Sequence, residues 1–395
     1  LSEQDIVTLI DEKIQKEKDK IIHDWEEAGI RVEKARWGRH HIIRGKQKVE
    51  IGKEVDAVKL TLADAEKYLR SSKTKKKNGK EKMSLEVLLP VANEAIAGLA
   101  LSPKQVLGKN IAIHTEGSGL PELRGLQLAI IGLSEQRNSF FANAQYDVNR
   151  FRKSFYELYP GNWNLKIADL GDLPNGDKVE DTYFAVKEIG YHLKQMNIIP
   201  IFIGGSHDLI FPVYQVFQEF KQLVNIVSVD RSFDFSQEDK LISDRSYMSK
   251  IIMEKPNVLH NYTNLGYQSY YCAIEEKDLM DKLYFDGIRL GQLLDDLSLA
   301  EPVFRDADVV GFDMKCLSWQ ALADPLKGQP NGIDSRSICA LSRYAGISDR
   351  VSFFGLHELI ATPMMDQLLA QIVWYFIEGV QFRFNEHPVN TKENF

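Results

Sequence analysis

The stretch "IIPIFIGGSHDLIFPVYQVFQEF", Ile198 to Phe220, decides how the chain is built. Its first part is a continuous apolar run without polar alternation, the pattern of a strand buried on both faces. Gly204 and Gly205 end the run, and beyond Asp208 the apolar residues recur at helical spacing. Strand, glycine turn and helix make the repeating unit of a parallel sheet. Ligands of such sheets bind outside the carboxyl ends of the strands, so Ser206, His207 and Asp208 fall where chemistry is placed. Asp208 is expected to N-cap the following helix.

Working outward, the same alternation recurs. "LQLAIIGL", "NLKIADLG", "VNIVSVD", "LGYQSYYCA", "LYFDGIRL", "DVVGFDM" and "RVSFFGLHE" read as further strands, with helices such as "TYFAVKEIGYHLKQMN" between several of them. The expected fold is a three-layer α/β/α domain around a mostly parallel sheet of about eight strands. Three of its strand ends carry polar clusters: Gly204 to Asp208, Asp230 to Asp234, and Asp313 to Lys315. Histidine and carboxylates meeting in one crevice have the chemistry that a hard divalent ion requires.

Composition sets the bounds. The chain has 395 residues, 44% of them hydrophobic, and a formal net charge of -7, the balance of a globular protein with a full core. The apolar runs are too short to span a membrane and the opening residues are charged, so a cytoplasmic protein is expected. Cys272, Cys316 and Cys339 are too few and too scattered for a disulfide framework or a zinc motif.

The N-terminal part differs. Of 49 Lys+Arg, about 21 lie in residues 1–82, against 16 of 56 Asp+Glu, so this part is mildly basic and the remainder acidic. The charged run 71–83 reads as a linker between a small module, 1–70, and a large domain, 84–395. Within the module, Ile6 to Trp25 has helical periodicity, the following segment reads as a hairpin turning on Gly45 and Gly52, and "TLADAEKYL" as a helix capped by a threonine. "RWGRHHIIRGKQKVEI" through "LTLADAEKYL", within 30–70, resembles the small C-terminal repeat of bacterial type I DNA topoisomerases, with Ala35 in place of its first glycine. That resemblance implies DNA contact through Arg36, Trp37, Arg39, Arg44, Lys46 and Lys48; the alternative is a solvated hairpin face over a core tryptophan.

The large domain resembles the ureohydrolases (arginase, agmatinase and formimidoylglutamase), the last most of all through "LGYQSYYC" and "FFGLHELIATPMMD". The resemblance implies C–N bond hydrolysis by two manganese ions held on the motifs GGDHS, DAHxD and SxDxDxxDP, and an oligomer. Here those motifs read GGSHD, DRSFD and GFDMKCLSW. Carried over residue by residue, His207, Asp230, Asp234 and Asp313 complete the first metal position. The second has lost both of its own ligands, to Ser232 and Lys315. A lysine ammonium has no lone pair for a metal and its charge repels a dication, while it can balance Asp230 and Asp313. Glu358 is the candidate for the family's substrate-binding glutamate. The expectation is a pseudoenzyme without a cofactor, acting as a binding or assembly module. The alternatives are a hydrolase working with one Mn²⁺ or similar ion, and a DNA-associated protein.

Overall fold

A computed structural model of the protein describes residues 20–34, 40–45, 47–51, 57–69, 85–139, 145–236 and 242–384. The chain divides into two units, Leu1–Met83 and Ser84–Phe395.

In the first unit β1 (Ile21–Trp25), β2 (Ile30–Lys34), β3 (His40–Arg44) and β4 (Gln47–Ile51) form an antiparallel sheet in chain order. Ile21 to Trp25 is therefore a strand, which corrects the helix expected there. Ile21, Ile22 and Trp25 suit either period, and Gly29, at φ 61°, turns the chain so that they pair with β2. The earlier part of that expected helix, Ile6 to Asp19, lies outside the described residues, as does Gly52. Gly45 does turn the β3–β4 hairpin, at φ 57°. The helix at 62–69 starts where expected: Asp64 N–H donates to the Thr61 hydroxyl (3.3 Å) and Thr61 N–H to the Asp64 carboxylate (3.2 Å). Its Ala65 and Leu69 pack on Ile30, Val32, Ile42 and Ile51. Arg36, Trp37, Arg39 and Lys46 lie outside the described residues, and Arg44 is exposed at the end of β3.

The second unit is a three-layer α/β/α domain. Its strands are β5 (Ala112–Ile113), β6 (Leu128–Leu133), β7 (Ile167–Leu173), β8 (Ile199–Gly204), β9 (Val224–Val229), β10 (Leu259–Tyr267), β11 (Asp286–Arg289), β12 (Val309–Asp313) and β13 (Phe353–His357). They form one sheet in the order β11-β10-β9-β12-β13-β8-β6-β7-β5, with every pairing parallel. Alternate residues feed two cores. Leu128, Ile130, Ile201, Ile203, Val310 and Phe354 pack with helices Val148–Tyr156, Ser335–Ile347 and Pro363–Gln381. Ala129, Ile131, Phe202, Ile226, Val309 and Phe353 pack on the other face with Val179–Gln195 and Ile210–Phe220. Burial on both faces explains the unbroken apolar runs. "LGYQSYYCA" is strand only as far as Tyr267; the pairing with β11 ends there and the chain turns. No helix among the described residues is long and apolar enough to cross a membrane.

The sheet order brings the C-terminal ends of β9, β12, β13 and β8 side by side. The paired glycine after β8 makes the approach possible. Gly204 and Gly205 have φ of 99° and 72°, and a Cβ would lie 2.6 Å from the Leu133 carbonyl oxygen at the first and 2.2 Å from the Leu209 side chain at the second. The chain can thus turn sharply and set His207 over the sheet.

Candidate metal centre

Each of the four strands delivers polar groups to one buried point. His207 follows β8, Asp230 and Asp234 follow β9, Asp313 ends β12, and His357 and Glu358 close β13. All six are buried. His207 Nδ1 lies 3.5 Å from Oδ2 of Asp230, of Asp234 and of Asp313. All four atoms are buried; Asp313 Oδ2 is ion-paired with Lys315, and the other three have no hydrogen-bond partner. Three of the residues, His207, Asp230 and Asp234, present ligand atoms all within 4.8 Å of one another. Asp313 joins them through His207 and stands on the side toward Lys315.

The opposite carboxylate oxygens are anchored, which aims these ones inward. Asp230 Oδ1 accepts the backbone N–H of Arg231 (2.5 Å) and Ser232 (3.3 Å). Asp234 Oδ1 accepts the Ser232 hydroxyl at 3.0 Å, and Asp313 Oδ1 accepts the Lys315 N–H at 2.7 Å. Asp234 and Glu358 sit in the left-handed region, at φ 61° and 57°. Non-glycine residues are held there at a cost on the order of 1–3 kcal/mol, and such strain clusters where side chains must be aimed.

The first position fits a hard divalent ion. One imidazole nitrogen and three carboxylate oxygens, all buried and three of the four without a partner, are a donor set that such ions take. The second position does not. Ser232 spends its hydroxyl on Asp234, and Lys315 Nζ lies 2.8 Å from Asp313 Oδ2 while donating to Asp244 Oδ2 at 2.7 Å. Lys315 was expected to balance Asp230 and Asp313. It contacts Asp313 and the unforeseen Asp244, and reaches Asp230 only through its field.

Protonation follows from this crowding. Burial disfavours charge on His207, but the carboxylates of Asp230 and Asp234 overcome it and raise the imidazole to about 10. Burial likewise pushes Asp230 up, yet His207 and Lys315 together bring it down to about 2. Asp234 is raised well above the carboxylate range by burial and by the Asp230 charge. Asp313, similarly buried beside Asp230, rises to about 6 despite Lys315. Burial works against the Lys315 charge too, but Asp313, Glu358 and Asp244 keep it an ammonium. In the absence of an ion, protons and the lysine balance the carboxylates.

Glu358 does reach the site. Its carboxylate accepts the backbone N–H of His207 (3.1 Å) and the Ser139 hydroxyl (2.5 Å), and burial raises it to about 8. Asp208 is not the helix cap expected from sequence; no side chain caps the helix Ile210–Phe220. It is wholly buried and accepts from Asn138 Nδ2 (3.0 Å) and the Tyr183 hydroxyl, so it braces the turn from beneath. Sequence reasoning missed Asp244, Ser139, Asn138, Tyr247 and His357. Asp244 stands in a loop without a motif and Tyr247 opens the short helix after it, whereas the "GLHE" strand end offered a signal for His357. His260 is exposed on β10. A cleft of about 660 Å³ opens beside the centre, lined among others by Arg231, Ser232, Asp234, Arg245 and Tyr271.

The fold is shared with solved ureohydrolase structures. Residues 127–303 match the family model described as the Arginase family. The formiminoglutamase of Trypanosoma cruzi, crystallised with Mn²⁺, superposes with a TM-score of 0.58 at 14% identity, covering 67% of this chain and 97% of that one. Formimidoylglutamase of Bacillus subtilis gives 0.61 at 12% identity, over 71% and 94%. The agmatine ureohydrolase of Thermoplasma volcanium gives 0.56 at 17% identity, over 68% and 94%. No curated protein matches the sequence. The N-terminal stretch 30–70 lies outside the matched segment.

Proposed function

We propose that the Ser84–Phe395 unit holds one divalent cation on His207, Asp230, Asp234 and Asp313, and acts as a binding module without two-metal hydrolysis. This takes the one-ion alternative over the expectation of no cofactor. The observation that carries it is Lys315: its ammonium, 2.8 Å from Asp313 Oδ2 and 2.7 Å from Asp244 Oδ2, stands in the second position on the carboxylate both ions would share. Three buried aspartates, Asp230, Asp234 and Asp313, face His207 and this one lysine. A dication in the first position would supply the charge that they lack. Two Lewis acids would be needed to activate water and orient the substrate together, and a carboxylate-rich single ion acidifies water less.

The second reading is a single-ion amidino or formimidoyl hydrolase, favoured by the cleft that opens onto Ser232 and Asp234. One experiment separates the two. The protein is loaded with Mn²⁺, Co²⁺, Ni²⁺ or Zn²⁺, its bound metal is counted, and it is assayed with formimidoylglutamate, arginine and agmatine. One ion per chain without turnover supports the binding module, and one ion with turnover supports the hydrolase. Two ions, or none, overturn both.

A further inference from the structure

His207 can ligate a cation through Nδ1 only if its proton sits on Nε2, so whatever accepts that proton decides whether the site is competent. The ring is wholly buried, out of reach of bulk water. One side of Nε2 is closed by the backbone of β12: a Cβ on Gly311 would come within 3.0 Å of it. Among the described residues its hydrogen-bond partner is Tyr247 Oη at 3.5 Å. The Tyr247 ring packs on the imidazole, with centroids 5.0 Å apart, and is itself fully buried on the helix Tyr247–Met253. Its hydroxyl also meets Ser228 Oγ at 3.1 Å. A phenol that donates to Ser228 has its lone pairs left for the imidazole N–H.

We infer that Tyr247 is a positioning residue, which accepts Nε2–H of His207 while its own hydroxyl donates a hydrogen bond to Ser228, and so holds the ring proton on Nε2 when a cation takes the place of the Nδ1 proton among the Asp230, Asp234 and Asp313 oxygens. This rests on the single-cation reading. Without Tyr247 Oη the proton is better placed on Nδ1, where three carboxylate oxygens stand at 3.5 Å and where it excludes the ion.

The test is Mn²⁺ binding to the full chain, read from the electron paramagnetic resonance of free Mn²⁺, for wild type, Tyr247→Phe and His207→Ala. Tyr247→Phe keeps the ring contact and removes only the hydroxyl. Wild type is expected to bind, His207→Ala to lose binding, and Tyr247→Phe to bind about 10- to 100-fold more weakly, as loss of a ligand's supporting hydrogen bond commonly does. Metal-free melting is measured in parallel. A merely structural tyrosine would lower the melting temperature and leave the affinity of the folded protein unchanged. Wild-type binding with Tyr247→Phe within about twofold of it overturns this inference alone. If wild type takes up no Mn²⁺, the cation site falls and this inference with it.

Discussion

Replacing Lys315 with methionine removes a buried ammonium while keeping most of the side-chain volume. In the metal-free protein it leaves Asp313 and Asp244 without the partner now 2.8 and 2.7 Å away. Breaking a buried pair in this way costs about 3–5 kcal/mol, because the buried Asp313 carboxylate loses its nearest compensating charge. At roughly 2 °C per kcal/mol for a domain of this size, the metal-free melting temperature should fall by about 6–10 °C. The effect on the cation runs the other way. At 2.8 Å the attraction between Nζ and Asp313 is about 6 kcal/mol at an effective dielectric near 20, and it withholds that carboxylate from a metal. Recovering even a quarter of it strengthens Mn²⁺ binding about tenfold. Calorimetry with and without Mn²⁺ reads both quantities: Lys315→Met should be the less stable protein without metal and the tighter binder with it. A variant as stable as wild type and no better at holding Mn²⁺ would refute the account of Lys315 as the stand-in for a second ion.

Three further outcomes follow from the same contacts. The double substitution Ser232→His with Lys315→Asp returns both ligand types to the second position and should raise the bound Mn²⁺ from one to two per chain, read by elemental analysis after dialysis. Arg152 is fully buried and holds Asp169 through two hydrogen bonds (2.9 and 3.1 Å) and Asp172 through a third (2.9 Å). Arg152→Met should therefore cost about 3–5 kcal/mol in urea denaturation, and Arg152→Lys should restore little, since an ammonium cannot make the two-pronged contact. Burial pushes the Glu135 carboxyl up, but Arg137 and Thr182 hold it below its ordinary 4.5 in the folded protein. Its stabilisation is present above that ordinary value and is lost as pH falls through the lower folded one, so Glu135→Gln should flatten the acid limb of stability against pH.

Much of the fold was legible because local pattern and tertiary burial agree in it. Apolar runs such as Leu128–Leu133 and Ile199–Gly204 pack on both faces, so their composition already states where they lie. The small sheet was read less well. Ile21–Trp25 fits a helix by spacing and becomes a strand by pairing with Ile30–Lys34, a partner that its own residues do not specify. Asp208 was misread for a related reason: its place after a strand suits a helix cap, but Asn138 and Tyr183, distant in sequence, claim its carboxylate.

By itself the sequence determined which groups the site contains. Three strand ends carry His207, Asp230, Asp234 and Asp313, and Ser232 and Lys315 break the second set, because ligand chemistry belongs to residue type. Tertiary structure alone decided what those groups do to one another. It converged four buried ligand atoms on one point, gave Lys315 its second partner in Asp244, and put the Tyr247 hydroxyl behind His207. Those relations join residues as many as 106 positions apart, from His207 to Asp313, and arise only where the sheet order sets β8, β13, β12 and β9 side by side.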